Sequence, residues 1–210
     1  KVSVLMPVYN GELYATSALQ SILDQSFQDF ELVIVNDGST DRTQSCIEAF
    51  RSEKISVIAN TENLGVIASL NKGIKQCRGK YIARMDADDI ARHDRLATQV
   101  TFLEEHTTID IVGTQILIID EQGAPVRRKR HATDHLGIKV TSLFYCPVFH
   151  PTVMARREVL QDNPYNERFL HAEDYELWSR LLQQGVHHFA NINQPLLNYR
   201  IHANAVSLKQ

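Results

Sequence analysis

The chain has 210 residues, 43% of them hydrophobic, which suits one compact domain with a sizeable core, or one domain with a small appendage. Lys plus Arg number 22 against 25 Asp plus Glu, so the formal charge of −3 lacks the basic excess of a general nucleic-acid binder and no nucleic-acid partner is expected. No run approaches the roughly 18 consecutive apolar residues that would span a bilayer.

The chain opens at Lys1, not at Met, ahead of an apolar run, and is expected to be a fragment or a processed form. Val2 to Met6 is apolar apart from Ser3 and breaks at Pro7 and the turn-forming pair Asn10-Gly11. Ala15, Ala18, Leu19, Ile22 and Leu23 then fall on one face of a predicted helix. Leu32 to Val35 is a second strand. It stops at Asn36-Asp37-Gly38-Ser39-Thr40-Asp41, a turn whose Ser, Thr and Asp residues suit the cap of the next helix. Ile55 to Ala59 is a third strand, followed by a helix marked by Ile67, Leu70 and Ile74. A fourth strand, Tyr81 to Met85, runs into Asp86-Ala87-Asp88-Asp89, and Leu96, Val100 and Leu103 mark another helix. This alternation of continuous apolar strands with helices predicts a parallel sheet covered on both faces.

The second half is less regular. Ile109 to Val112 and Ile116 to Ile119 read as strands, followed by a turn at Gln122-Gly123 and the basic run Arg127 to Arg130, read as a solvated hairpin or loop, with electrostatic contact to anionic lipid or a lipid-diphosphate acceptor as its functional alternative. A helix near His135 to Phe144, a strand near Thr152 to Arg156, a helix from Glu173 to Gln184 and a last strand from Leu196 to Ile201 complete the pattern. Cys46, Cys77 and Cys146 are odd in number, widely separated and without CxxC spacing. They read as thiols of a reducing compartment, neither a disulfide framework nor a zinc site.

Open parallel sheets bind ligands beyond the carboxyl ends of their strands. Tyr9 and Asn10 follow the first strand, Asp37 the second and Asp86 the fourth, so three loops should converge on one rim with acids and amides. A dinucleotide site would need Gly-x-Gly-x-x-Gly, and no Gly-x-Gly occurs. A P-loop fails too, because the stretch from Gly73 to Gly79-Lys80-Tyr81 is one residue too long and ends in Tyr. Asp86-x-Asp88 at a strand end supplies the hard oxygen ligands that Mg²⁺ or Mn²⁺ takes when it also holds a diphosphate.

These segments taken together resemble a known family. Val4 to Asn10, Val35 to Asp41, Asn63-Leu64-Gly65, Met85 to Asp89, Glu173 to Trp178 and Tyr199 to His202 closely resemble, in that order, the family 2 glycosyltransferases of the GT-A fold. The resemblance covers essentially the whole chain. It implies an α/β fold with a Rossmann-like, mostly parallel central sheet, helices on both faces, and a less regular C-terminal half that binds acceptor. One domain spans residues 1–210, with 1–106 binding the nucleotide sugar and 107–210 the acceptor.

By the same resemblance the activity is inverting, metal-dependent transfer of a sugar from a nucleoside diphosphate, with a UDP-sugar as expected donor and a glycan or lipid-linked acceptor. Cell-surface polysaccharide or glycolipid synthesis is the implied setting. Pro7, Tyr9 and Glu12 would line the nucleobase and ribose, and Asp37 would hydrogen-bond the base. Asp86 would reach the ribose or the metal through water, Asp88 would ligate the metal, and His202 would be a further metal or diphosphate contact. Asp174 would be the general base. Leu70 departs from the family, which often carries a basic residue there, and Lys72 is the available substitute. A cytoplasmic location with peripheral contact at the inner face of a membrane is expected. A sugar-nucleotide nucleotidyltransferase is the alternative enzyme, but Pro7-Val8-Tyr9-Asn10 stands where its Gly-rich basic loop belongs. A binding domain that has lost catalysis fits poorly with the presence of both Asp88 and Asp174.

Overall fold

Strands buried on both faces have no solvent side to keep polar, and the apolar runs of the first half fold accordingly. In the computed structural model, which describes residues 1–203, β1 (Val2–Val8), β2 (Phe30–Asn36), β3 (Ile55–Ala59) and β4 (Tyr81–Arg84) pair in parallel in the order β3-β2-β1-β4. Successive side chains of a strand point to opposite faces, and this splits the core in two. Val2, Val4, Met6 and Val8 of β1 face α1 (Ala15–Leu23) and α4 (Arg95–Glu105), against Leu19, Ile22, Leu96 and Leu103. Leu5, with Val33 and Val35 of β2, faces α3 (Val66–Ile74) through Ile67, Leu70 and Ile74. The short α2 (Thr43–Glu48) follows β2.

The second half extends the same sheet to nine strands. To β1–β4 and the two-residue β5 (Ile90–Ala91) of the first half it adds β6 (Ile111–Ile119), β7 (Pro125–Lys129), β8 (Met154–Arg156) and β9 (Phe189–Arg200). Between them lie α5 (His135–Thr141), a 3-10 turn (His150–Thr152), α6 (Arg157–Asp162) and α7 (Glu173–Gln184). β8 sits antiparallel between β4 and β6, β9 runs parallel to β6, and β5 and β7 pair antiparallel with β9 and β6. The complete sheet is therefore mixed, with its parallel part in the first half.

Three boundaries differ from the expectation. The two strands expected at Ile109–Val112 and Ile116–Ile119 are one strand, β6. Its register with β9 shifts around Gln115, which breaks the apolar pattern without turning the chain. β9 begins at Phe189 rather than Leu196, since the buried Asn191 satisfies Ala132 and Pro147 carbonyls instead of marking a loop. α5 ends at Thr141, with the following residues continuing as hydrogen-bonded turns. Helix α7 anchors the second core layer by burying Leu177, Trp178, Leu181 and Leu182. Truncating a Trp so placed costs about 3–5 kcal/mol.

Candidate active site

The rim forms where β1 outruns β4. β1 pairs with β2 as far as Val8–Asn36, but with β4 only as far as Leu5–Arg84. Leu5 O accepts from Met85 N on the β4 side and Val8 O from Asp37 N on the β2 side, so alternation turns Pro7 N toward β4 beyond its last pair. A proline, which has no N–H, therefore costs no ladder bond at this otherwise central position.

The loops after β1 and β2 are laced together by side chains. Asn10 has φ 49°, a left-handed conformation that Asn tolerates, and its Oδ1 accepts from Thr40 N at 2.8 Å. Asn10 N donates to Ser39 Oγ (3.0 Å), Gly11 N to Thr43 Oγ1 (2.7 Å) and Glu12 N to Asp41 Oδ2 (3.0 Å). Glu12 closes the lacing by accepting from Arg42 N at 3.0 Å and pairing with the Arg42 guanidinium at 3.2 Å. Tyr9, 47% exposed, lies open on this rim, whereas Pro7 is buried.

Asp37 is buried, and its carboxylate accepts from Asn60 Nδ2 (2.7 Å), Leu64 N (3.0 Å) and Gly65 N (2.8 Å). It thereby fixes the Asn63-Leu64-Gly65 loop at the start of α3. A carboxylate offers about four lone-pair sites, so one acceptor position remains. Lys72 Nζ donates to Asn60 Oδ1 at 2.6 Å and so belongs to the same network.

Past Arg84 the chain turns through the acidic loop, where Asp86, Asp88 and Asp89 bring one oxygen each within 4.8 Å of one another. Burial raises Asp86 to about 6; the ion pair with Arg84 opposes the shift, and Asp88 adds to it. Asp89 is raised well above its ordinary range by burial and by both neighbouring aspartates, and its Oδ2 is buried with no partner. Three crowded carboxyls, one with an oxygen that finds no hydrogen-bond donor, form an all-oxygen donor set. Hard oxygen ligands of this kind fit Mg²⁺ or Mn²⁺.

The two-residue β5, directly after this loop, pairs Ile90 with Asn198 and Ala91 with Leu197. That short ladder lays the end of β9 across the acidic loop. Arg200 N donates to Asp89 Oδ1 (2.9 Å) and Arg200 Nε to the Asp88 carbonyl (2.9 Å). Arg200 Nη1 reaches the carbonyls of Asp120 (3.1 Å) and Glu121 (2.9 Å), and its guanidinium lies 4.7 Å over the Tyr14 ring. His202 Nε2 then sits 3.0 Å from Asp88 Oδ2, with its ring 5.0 Å from that of Tyr14. Residues 114 positions apart in sequence meet here.

Helix α7 closes the other side. Its first turn carries Glu173, Asp174 and Glu176, and the preceding turn passes through His171 at φ 65°. Asp174 Oδ1 accepts from Tyr175 N (2.7 Å), and Oδ2 lies 3.4 Å from Cys146 Sγ. Burial raises both the Cys146 thiol and the Glu173 carboxyl, and Glu173 is close enough to Asp86 to raise it as well. The α7 N-terminus and the acidic loop thus share one electrostatic field, with the buried Arg84 between them. Beneath Arg84, His150 Nε2 and Tyr165 OH form a buried pair at 2.7 Å; burial first, then Arg84, holds His150 well below its usual range and therefore neutral. The sequence did not point to Arg84, gave His150 no role, and placed Tyr165 only in a segment that could border the acceptor site, whereas here it is buried against His150. A charged residue inside an apolar strand was the available signal for Arg84.

The model for Glycosyl transferase family 2 matches residues 3–163. The chain belongs to glycosyl transferase family 2. Among its relatives, an uncharacterized glycosyltransferase of Haemophilus influenzae is 36% identical over 98% of this chain and 67% of its own length. The O-antigen biosynthesis glycosyltransferase WbnJ of Escherichia coli is 31% identical over 96% of this chain and 80% of its own. The chain therefore spans about two thirds to four fifths of these relatives. In structure it is similar to S. aureus TarS 1–349 in complex with UDP, with a TM-score of 0.78, 25% identity, 96% of this chain and 60% of that one. The mannosyltransferase PcManGT from Pyrobaculum calidifontis, in complex with GDP-Man and Mn²⁺, shares the fold, with a TM-score of 0.74, 19% identity, 99% of this chain and 59% of that one. The family domain is thus a glycosyltransferase domain of GT-A fold, with a sheet that curls through mixed pairing.

Proposed function

We propose that this chain transfers a sugar from a nucleoside diphosphate to an acceptor hydroxyl, in one displacement with inversion, and that it works with Mg²⁺ or Mn²⁺. The observation that supports the proposal is that His202 meets Asp88 beside Asp86 and Asp89, while Glu173, on the Asp174-bearing end of α7, lies close enough to Asp86 to raise it. In the proposed arrangement Tyr9 stacks on the base and Asp37 offers its remaining acceptor position to the base edge. Pro7 and Glu12 shape the floor and wall of that pocket, Glu12 through its hold on Arg42. Asp88, with His202 and water-mediated help from Asp86, would hold the metal, which supplies charge neutralisation for the departing diphosphate.

Asp174 takes the proton from the acceptor hydroxyl as that oxygen bonds to the anomeric carbon. The anomeric bond to the diphosphate oxygen breaks in the same step, and its electron pair leaves with the diphosphate. Tyr175 N and Cys146 hold the Asp174 carboxylate in place, and Arg84 offsets part of the repulsion between Asp86 and Glu173. A UDP-sugar is the donor we expect, since TarS was solved with UDP, and the acceptor we expect is a glycan or a lipid-linked one, WbnJ being named for O-antigen biosynthesis. The test is a hydrolysis screen of sugar nucleotides with Mg²⁺ or Mn²⁺, repeated on Asp174→Asn with acceptor present. Transfer should fall about 10²- to 10⁴-fold with donor binding retained. Undiminished transfer would remove Asp174 from the reaction.

A further inference from the structure

Beside the cleft, the surface around α5 carries both an apolar face and an unneutralised charge. Leu136, Val140, Leu143 and Phe144 fall at i, i+4, i+7 and i+8 on α5 and the hydrogen-bonded turns that continue it, and all four are exposed, Leu143 by 74% and Phe144 by 75%. Tyr145 and Val126 are exposed as well. Solitary exposed apolar residues need no explanation, but a run with helical spacing does. The helix turns Ile138 inward and leaves Leu136 and Val140 outward, and the turns that continue it leave Leu143 and Phe144 outward as well.

The strand leading into this face is basic. Arg127, Arg128, Lys129 and Arg130 are exposed, as is Lys139 on α5, and among the described residues none of the five forms an ion pair. Residues 126–145 hold these five basic side chains and one acid, Asp134, in a chain whose total charge is −3. Asp134 is spent on capping α5, where it accepts from Gly137 N. The two features are continuous, since the His131 ring, next to Arg130, lies 5.8 Å from the Tyr145 ring and Lys129 Nζ lies 5.5 Å over Phe149.

The geometry points to a docking surface for an anionic lipid bilayer, with Leu143 and Phe144 entering the interface and Arg127 to Arg130 lying over the headgroups. Basic residues beside an exposed apolar helix face are the two signals that reversible attachment to such a surface combines. The charge sign selects the occupant, because a second copy of this chain would set the same five cations against each other. Attachment would also orient the cleft. Tyr175 OH on α7 donates to the Ser142 carbonyl at 2.7 Å and Cys146 touches Asp174, so the docking turn is fastened directly to the α7 end of the active site. An acceptor held at the membrane would enter from that side. The inference does not depend on sugar-transfer chemistry and is tested without it.

The experiment is cosedimentation of the full chain with vesicles of phosphatidylglycerol mixed with phosphatidylcholine, against phosphatidylcholine alone. The chain should bind the anionic vesicles, bind neutral ones far more weakly, and come off with salt. Arg127→Gln with Arg128→Gln should weaken binding about 25-fold, at about 5-fold for each basic residue. Leu143→Ser with Phe144→Ser should weaken it about tenfold or more. Both double variants should melt as the unmodified chain does, since these side chains touch little. Failure of the unmodified chain to bind anionic vesicles would overturn the inference. So would binding that neither double variant changes, or a dimer in solution that Leu143→Ser with Phe144→Ser abolishes.

Discussion

Replacing Asp37 separates a structural role from a purely ligand-binding one. Its buried carboxylate accepts three hydrogen bonds, from Asn60 Nδ2, Leu64 N and Gly65 N. Hydrogen bonds to a charged group are worth about 1.5–3 kcal/mol each, but the loss in Asp37→Ala is not the full sum. Gly65 N also reaches Asn63 Oδ1 at 2.9 Å and Asn60 Nδ2 also reaches Ser69 Oγ at 3.3 Å, leaving Leu64 N as the donor with no second acceptor. Removing a buried charge recovers part of its desolvation cost as well. The net loss should be about 2–4 kcal/mol, which for a domain of this size lowers the melting temperature by about 5–15 °C. Asp37→Asn should lose less, since one carbonyl oxygen survives while an amide N–H₂ must face a backbone donor. The assay is thermal unfolding by circular dichroism without nucleotide, followed by calorimetry with UDP. A variant that melts with the unmodified chain while losing UDP affinity would refute the reasoning, because Asp37 would then serve the ligand alone.

Two further substitutions probe the rim. Gly38 has φ 68°, and a Cβ there would lie 2.4 Å from the Glu62 carbonyl carbon, so Gly38→Ala should cost at least about 2 kcal/mol and lower the melting temperature. Unchanged melting would show that this turn is not held as described. Asp86 and Asp89 are raised above their unfolded values, so the metal-free protein is favoured by their protonated forms. That contribution is present below the unfolded value of 3.8 and is lost as pH rises through about 6, the Asp86 value, and beyond it for Asp89. On acidification from pH 7 toward pH 5 this contribution should grow in chelator, against the opposite contributions of His150 and His131, whose depressed values cost stability below pH 6.5, so the share of the cluster is read as the difference from Asp89→Asn. Asp89→Asn should raise metal-free stability at pH 7 by about 1–2 kcal/mol and flatten that slope, read by thermal unfolding across the range. A less stable variant, or an unaltered slope, would contradict the assignment of strain to this cluster.

The first half of the fold was legible because its signals are local. Continuous apolar runs such as Leu32 to Val35 have one cheap solution, a strand buried on both faces, and the rule that ligands sit at strand carboxyl ends placed Tyr9, Asp37 and Asp86 on one rim. The second half was less legible because its decisive contacts are non-local. β5, the partner of β9, is two residues long, too short for any periodicity, yet it brings His202 to Asp88. The shift around Gln115 hid the continuity of β6, and Asn191 read as a loop residue because its carbonyl partners come from distant segments. The resemblance named the rim residues, but the structure gives them unequal work. Glu12 and Asp37 spend their carboxylates lacing the rim, Tyr9 stands free, and Arg84 joins the two acidic ends of the cleft without belonging to any motif.

The proposed metal site gives the sharpest test, through calorimetric titration of UDP into the unmodified chain and into Asp88→Ala, each with Mn²⁺ and with chelator. The account predicts that Mn²⁺ tightens UDP binding to the unmodified chain and leaves binding to Asp88→Ala unaffected. If Mn²⁺ makes no difference to the unmodified chain, or strengthens UDP binding equally in Asp88→Ala, the acidic loop does not hold the cation that the proposed transfer requires.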